Sequence, residues 1–233
     1  VDEADFAAVD TTKSAYAHAF VVLAATSGVR AGISGASELL SMALEVFYSR
    51  FFDAKTGLLV DEYNQDFTVL SPYRGVNANM HAVEALLAAG DVTGDLQHHE
   101  RALAIAKVVA LEWAPAQSWR IPEHFDSQWN PLLEFNAEKP DDQFKPYGAT
   151  VGHGIEWARL LLHLDATFGS GWWNRHASCT LGQLLMDGEP ARAGIPDSCT
   201  QPLGRALQLL RPACTGLLLK HWHLLQRCLP QQV

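Results

Sequence analysis

The 233-residue chain is 48% hydrophobic, 18% charged and carries a formal net charge of -9. This composition supports a packed core rather than disorder and argues against nucleic acid and anionic membrane surfaces as partners. No run reaches the roughly 18 apolar residues that span a bilayer, and no signal peptide follows Val1, so the sequence reads as starting inside a longer reading frame.

Residues 11–28, TTKSAYAHAFVVLAATSG, form the first expected helix, with threonines in front and Gly28 behind. A second covers 35–52, where Leu39, Leu40, Ala43, Val46 and Phe47 recur at helical spacing. Gly57 marks a turn, and the alternation after it allows a short strand. A third helix covers 75–90 and ends at Gly90 before the turn DVTGD; a fourth covers 95–113. A long Pro-, Asn- and Asp-rich crossing runs from Pro115 to Gly148, the kind of loop that is usually functional inside a compact domain. The fifth helix is 150–167, TVGHGIEWARLLLHLDAT. Apolar helices of similar length joined by turns and long loops predict an all-α bundle, solenoid or toroid of antiparallel helix pairs.

The chemistry changes near Phe168. Residues 1–168 hold 11 basic and 23 acidic residues, whereas 169–233 hold 6 and 3. Cys179, Cys199, Cys214 and Cys228 all follow the break, and their spacing matches no zinc pattern. The cysteine-free first part suits the cytoplasm. Two domains are therefore expected: 1–168, and a tail 169–233 of uncertain origin whose composition resembles a GC-rich gene read in a shifted frame. Helices at 203–211 and 216–229 are possible within the tail.

Chemistry concentrates on two helices. Asn77, His81 and Glu84 fall on one face, since residues three and four apart are neighbours there. His153 and Glu156 repeat the spacing on the fifth helix. An imidazole moves protons near neutral pH, and a carboxylate one turn away fixes its tautomer. A core histidine beside a solvated glutamate has the same spacing. A di-iron reading would need two further glutamates and the reverse order, so no metal and no cofactor are expected. His98 and His99 read as an exposed helix start, and His221 and His223 lie in the doubtful tail. The loop WRIPEHFDSQWNP combines Trp119, His124, Phe125 and Trp129 with Glu123 and Asp126. It could stack on a sugar, form a hydrolase carboxylate pair, or simply staple itself down. Tyr16 and His18 admit a bland reading as buried, partnered side chains. There is no phosphate-binding glycine loop and no Gly-x-Ser-x-Gly elbow.

YRGVNANMHAVEALLAAGDVTGD, IPEHFDSQWNPLLEFN and PYGATVGHGIEWARLLLHL, in that order, resemble the N-acylglucosamine 2-epimerase superfamily. The likeness is to its aldose–ketose isomerase branch, which includes mannose and sulfoquinovose isomerases, and it covers residues 11–168. The resemblance implies an (α/α)6 barrel of which this chain covers the middle part. Its inner helices would then lack partners, exposing Leu160, Leu161 and Leu164. It further implies proton transfer at C2 of an open-chain aldose through a cis-enediol, without metal or redox cofactor. His153 is then the acid/base, with Glu156 beside it. His81 serves ring opening or bonds the sugar oxygens, Asn77 contacts substrate, and Tyr16 matches a pocket tyrosine. The partner is a small-molecule sugar. Three alternatives stand: 2-epimerisation of a sugar such as N-acylglucosamine or cellobiose; an inactive truncated fragment; and a glycoside hydrolase using Glu123 and Asp126.

Overall fold

The computed structural model describes residues 10–140, 142, 144–169, 176, 177, 179, 180 and 183. These fall into two compact units. One comprises the residues up to Val108 with Pro122–Gly148; the other comprises Val109–Ile121 with the described residues from Ala149 on.

In the first unit, α1 (Ala15–Arg30) packs against α2 (Ala36–Val46) and α3 (Val76–Thr93), and α3 packs against α4 (Leu96–Lys107). α3 is the central helix because of its composition. Ala78, Ala82, Ala85, Ala89 and Gly90 let neighbouring helices come close, while Met80, Val83, Leu86 and Leu87 fill the space between them; all are buried. Each of the four larger side chains contributes roughly 1.5–3 kcal/mol by leaving water. Facing them are Ala19, Val22 and Ala25 of α1 and Ala102, Ile105 and Ala106 of α4, also buried.

Several helix ends differ from expectation for identifiable reasons. α1 begins at Ala15 rather than in the threonine pair, because Lys13–Ser14 (β1) pairs with Glu62–Tyr63 (β4) and Ser14 caps the helix. It runs past Gly28, where an added Cβ would stand 3.0 Å from the Ala36 Cβ; this glycine serves packing, not termination. α3 likewise runs through Gly90 to Thr93 and stops at Gly94, which has φ +73°. An added Cβ at Gly90 would lie 2.4 Å from His99 Nε2, so here too the glycine makes room. The second expected helix ends in a π-helical turn, Phe47–Phe51, and a wider turn of the same type, Val108–Trp113, follows α4. The short α5 (Ala114–Ala116) comes after it.

Three two-stranded ribbons close the connections of the first unit. Besides β1 with β4, Phe52–Asp53 (β2) pairs with Leu58–Leu59 (β3), and Arg74–Gly75 (β5) pairs with His124–Phe125 (β6). The β5–β6 ribbon brings the long crossing back to the start of α3, fixed further by the Val76 amide donating to the Glu123 carbonyl at 3.0 Å.

In the second unit, α6 (Val151–Phe168) is capped by the Thr150 hydroxyl and ends at Gly169, with φ +65°. The expected exposure of Leu160, Leu161 and Leu164 is corrected: all three are buried. The tail helices at 203–211 and 216–229, Cys199, Cys214, Cys228, His221 and His223 lie outside the described residues. Among the described residues, no helix is long and apolar enough to cross a membrane.

Candidate active site

Between Val76 and Gly90 of α3, every residue is buried except Asn77, His81, Glu84 and Ala88, which are half-buried and each about one turn from the next. The polar line read from the sequence is therefore the open face of an otherwise enclosed helix. His81 Nδ1 stands 3.2 Å from Glu84 Oε2. A carboxylate oxygen accepts, so Nδ1 carries the proton and Nε2 keeps its lone pair when the ring is neutral.

Two rings of α1 flank the imidazole. Tyr16 meets it edge-on, with centroids 5.2 Å apart, and Phe20 lies tilted against it at 4.8 Å. Phe20 is 42% exposed, so the flank remains open on one side. The sequence reading missed Phe20, although it lies one turn after Tyr16 on the same face. Asn77 Oδ1 is buried and meets no hydrogen-bond donor among the described residues. An orphaned buried acceptor is uncommon in a folded chain and costs roughly 1–3 kcal/mol, which a ligand donor would relieve. The structure thus brings Tyr16, Asn77, His81 and Glu84 onto one face of the first unit.

His153 and Glu156 belong to the second unit. Both are half-buried on the first turns of α6, and the His153 amide donates to the capping Thr150 hydroxyl at 3.4 Å. Trp157, next along, is fully buried, and its Nε1 meets no acceptor among the described residues.

Other candidates turn out to be structural. His98 and His99, expected to be exposed, are each 7% exposed. His98 bonds the Tyr48 hydroxyl and stacks on its ring, and burial pushes its pKa down. His99 Nε2 sits 3.1 Å from Asp91 Oδ1. His18 Nε2 donates to the Ala43 carbonyl at 2.8 Å.

The aromatic loop staples itself down. His124 Nε2 donates to the Pro146 carbonyl at 2.6 Å, which leaves Nδ1 to accept from the Tyr73 hydroxyl at 2.7 Å. Phe125 is buried against Trp129, and Trp119 packs against His176. Glu123 is 4% exposed, while Asp126 ties up its own turn by accepting from the Gln128 and Asn130 amides and the Asn130 side chain. Those bonds hold Asp126 below the usual carboxylate range.

The most perturbed acid is one that the sequence reading passed over. Asp61, 7% exposed, is pushed up to about 7 by burial, opposed by the Gly75 amide that it accepts from. Tyr73 is pushed upward by burial and by Asp61. Among the described residues, no three His, Cys, Asp or Glu side chains group as a metal site.

Residues 2–180 match the family model described as N-acylglucosamine 2-epimerase (GlcNAc 2-epimerase). The match runs past the boundary expected at Phe168, so family likeness does not stop there. The chain is 49% identical over 156 residues to a D-mannose isomerase of Pseudomonas cannabina pv. alisalensis, covering 67% of this chain and 38% of that protein. It is 48% identical over 157 residues to a D-mannose isomerase of Thermobifida fusca, covering 67% and 39%. It thus spans less than half the length of these relatives. Among solved structures, a D-mannose isomerase superposes with a TM-score of 0.73 at 33% identity, over 78% of this chain and 47% of that one. A cellobiose 2-epimerase from Bacillus thermoamylovorans gives 0.65 at 18% identity, over 77% and 46%, which speaks to fold alone. The fold is that of the family's (α/α)6 barrels.

Proposed function

From the premise that this chain belongs to the N-acylglucosamine 2-epimerase family, we propose that it carries the proton-transfer face of an aldose–ketose isomerase acting on an unphosphorylated, mannose-like sugar. The observation that carries the reading is the open polar line of α3. A histidine with its tautomer set by a carboxylate, flanked by two aromatic rings, stands one turn from an amide oxygen that is buried without a donor. A sugar supplies what this face lacks: hydroxyl donors for Asn77 Oδ1 and a CH surface for Tyr16 and Phe20.

In this reading His153 takes the proton from C2 of the open-chain aldose. The electron pair moves into a C1–C2 double bond while O1 takes up a proton, giving the cis-enediol; His153 then returns the proton to C1 as O2 gives up its own, leaving the ketose. His81, with Nε2 free to accept, moves the proton between the ring oxygen and O1 during ring opening. Glu84 holds its tautomer and takes up the charge that forms there. Glu156 and Asn77 hold sugar hydroxyls. No step calls on a metal or redox cofactor, because C1 is reduced as C2 is oxidised within the same molecule, and the proton held on His153 exchanges with solvent before it reaches C1. Return of the proton to the opposite face of C2 would give the epimer instead, and the two outcomes share these histidines.

The test is incubation of the chain with mannose in deuterated water. Expected is fructose carrying label at C1, and loss of both product and label in His153→Ala by about 10²–10⁴-fold. Accumulation of glucose with label at C2 would move the assignment to epimerase. Neither label nor product would mean that these residues are an inactive remnant in this chain.

A further inference from the structure

We infer that Asp61 is a positioning residue for this site: it joins the starts of α1 and α3 and so holds Tyr16 edge-on to His81. The inference rests on the proposed reading of His81, and on three observations besides.

First, Asp61 bonds both site helices at their first residues. Its backbone carbonyl accepts from the Ala15 amide at 2.8 Å, one residue before Tyr16. Its side-chain Oδ2 accepts from the amide of Gly75, the residue that caps α3 two positions before Asn77. Second, Gly75 is shaped for this contact. A Cβ there would stand 3.2 Å from Asp61 Oδ1 and 3.0 Å from the Tyr73 hydroxyl oxygen, so a larger residue would push the carboxyl away. Third, Asp61 sits beside the strand pairing that leads into α1, since Ser14 pairs with Glu62.

A separate bond set already anchors α3 to the core. Asn79 is fully buried, accepts from the Leu59 amide at 2.9 Å and donates to the Leu59 and Gly75 carbonyls at 3.1 Å. Asn79 therefore holds α3 in place, while Asp61 sets its first turn against α1. Helical geometry carries that setting along: Tyr16 follows Ala15 directly, and His81 lies on the Asn77 line one turn further. A shift of either helix start would separate rings whose centroids are 5.2 Å apart.

The experiment compares Asp61→Ala with Asp61→Asn in the full chain, because the amide keeps a carbonyl oxygen for the Gly75 amide and alanine does not. Nuclear Overhauser contacts between the Tyr16 ring and the His81 imidazole are read beside the rate of C2 label exchange in mannose. Expected is a cooperatively melting Asp61→Ala protein that loses the ring contact and about 10–100-fold of the exchange rate, with both restored in Asp61→Asn. Asp61→Ala with contact and rate intact, or Asp61→Asn losing as much as alanine, overturns the inference. If the unmodified chain exchanges no label, the isomerase reading fails. The ring contact still decides the role of Asp61. Should Asp61→Ala not fold, the Gly75 amide of the unmodified chain decides: hydrogen exchange slowed at least about 10²-fold against a free peptide supports the clamp, and free exchange overturns it.

Discussion

Burial of Asp61 has a consequence for stability that pH can read. The carboxyl is pushed from the usual 3.8 up to about 7, by burial first and by Glu62 next, against the Gly75 amide, Lys145 and Arg74. Unfolded, the group loses its proton near 3.8; folded, it keeps it until about 7. Between those values the folded chain binds the extra proton, so the contribution of Asp61 to stability falls as pH rises through the window and levels off above it. The whole shift corresponds to roughly 4 kcal/mol, of which about 3 kcal/mol falls between about pH 5 and about pH 8.5. Asp61→Asn keeps the acceptor and removes the titration. His98, pushed down by burial, contributes the opposite slope, but it is present in both proteins and cancels in their difference. The assay is urea denaturation of both proteins at several pH values. The asparagine variant should gain about 3 kcal/mol on the unmodified chain between the two ends, equivalent to roughly 6–12 °C in melting temperature for a chain of this size. A difference that stays flat across this range would mean that Asp61 titrates like a solvated carboxylate, and the stability slope assigned to its burial would be wrong.

Gly90→Ala should destabilise by about 1–3 kcal/mol despite the better helix propensity of alanine, because its Cβ would press on the buried His99 ring; Gly152→Ala, which meets nothing within 4 Å, is the control and should be neutral or stabilising in the same thermal melt. Asn79→Ala strands the Leu59 amide and carbonyl and should cost roughly 2–4 kcal/mol by chemical denaturation, whereas a loss under about 0.5 kcal/mol would deny that Asn79 anchors α3. Glu84→Ala leaves the His81 tautomer unset and should lower turnover about 10–100-fold with little change in KM; an unchanged rate would separate Glu84 from the chemistry. Activity should survive prolonged EDTA treatment, and loss with recovery on added zinc or manganese would refute the metal-free mechanism.

Local chemistry was legible in the sequence. The five helices follow from 3.6-residue apolar spacing, and Asn77, His81 and Glu84 share a face because neighbours three and four apart must do so on any helix. For the same reason His153 and Glu156 fall together on α6, and the contact of His81 with Glu84 was there to be read. Helix ends were less legible. Gly28 and Gly90 look like stop signals in the chain, but each is a packing glycine whose neighbour, Ala36 or His99, becomes visible only once helices pack. Burial of His98 and His99 depends on Tyr48, fifty residues away, and on the turn that brings Asp91 back. The loop at His124, which as sequence suited a sugar as well as a staple, is a staple because Tyr73 and Pro146 fall on either side of its imidazole. Asp61 carried no signal at all. An aspartate near a turn is ordinary, and what raises its proton affinity is the loss of water around it, against the pull of an amide fourteen residues on. Hydrogen bonds within a helical turn are written in residue spacing; the energy of a charge depends on every atom that displaces water around it, and only the tertiary fold decides which atoms those are.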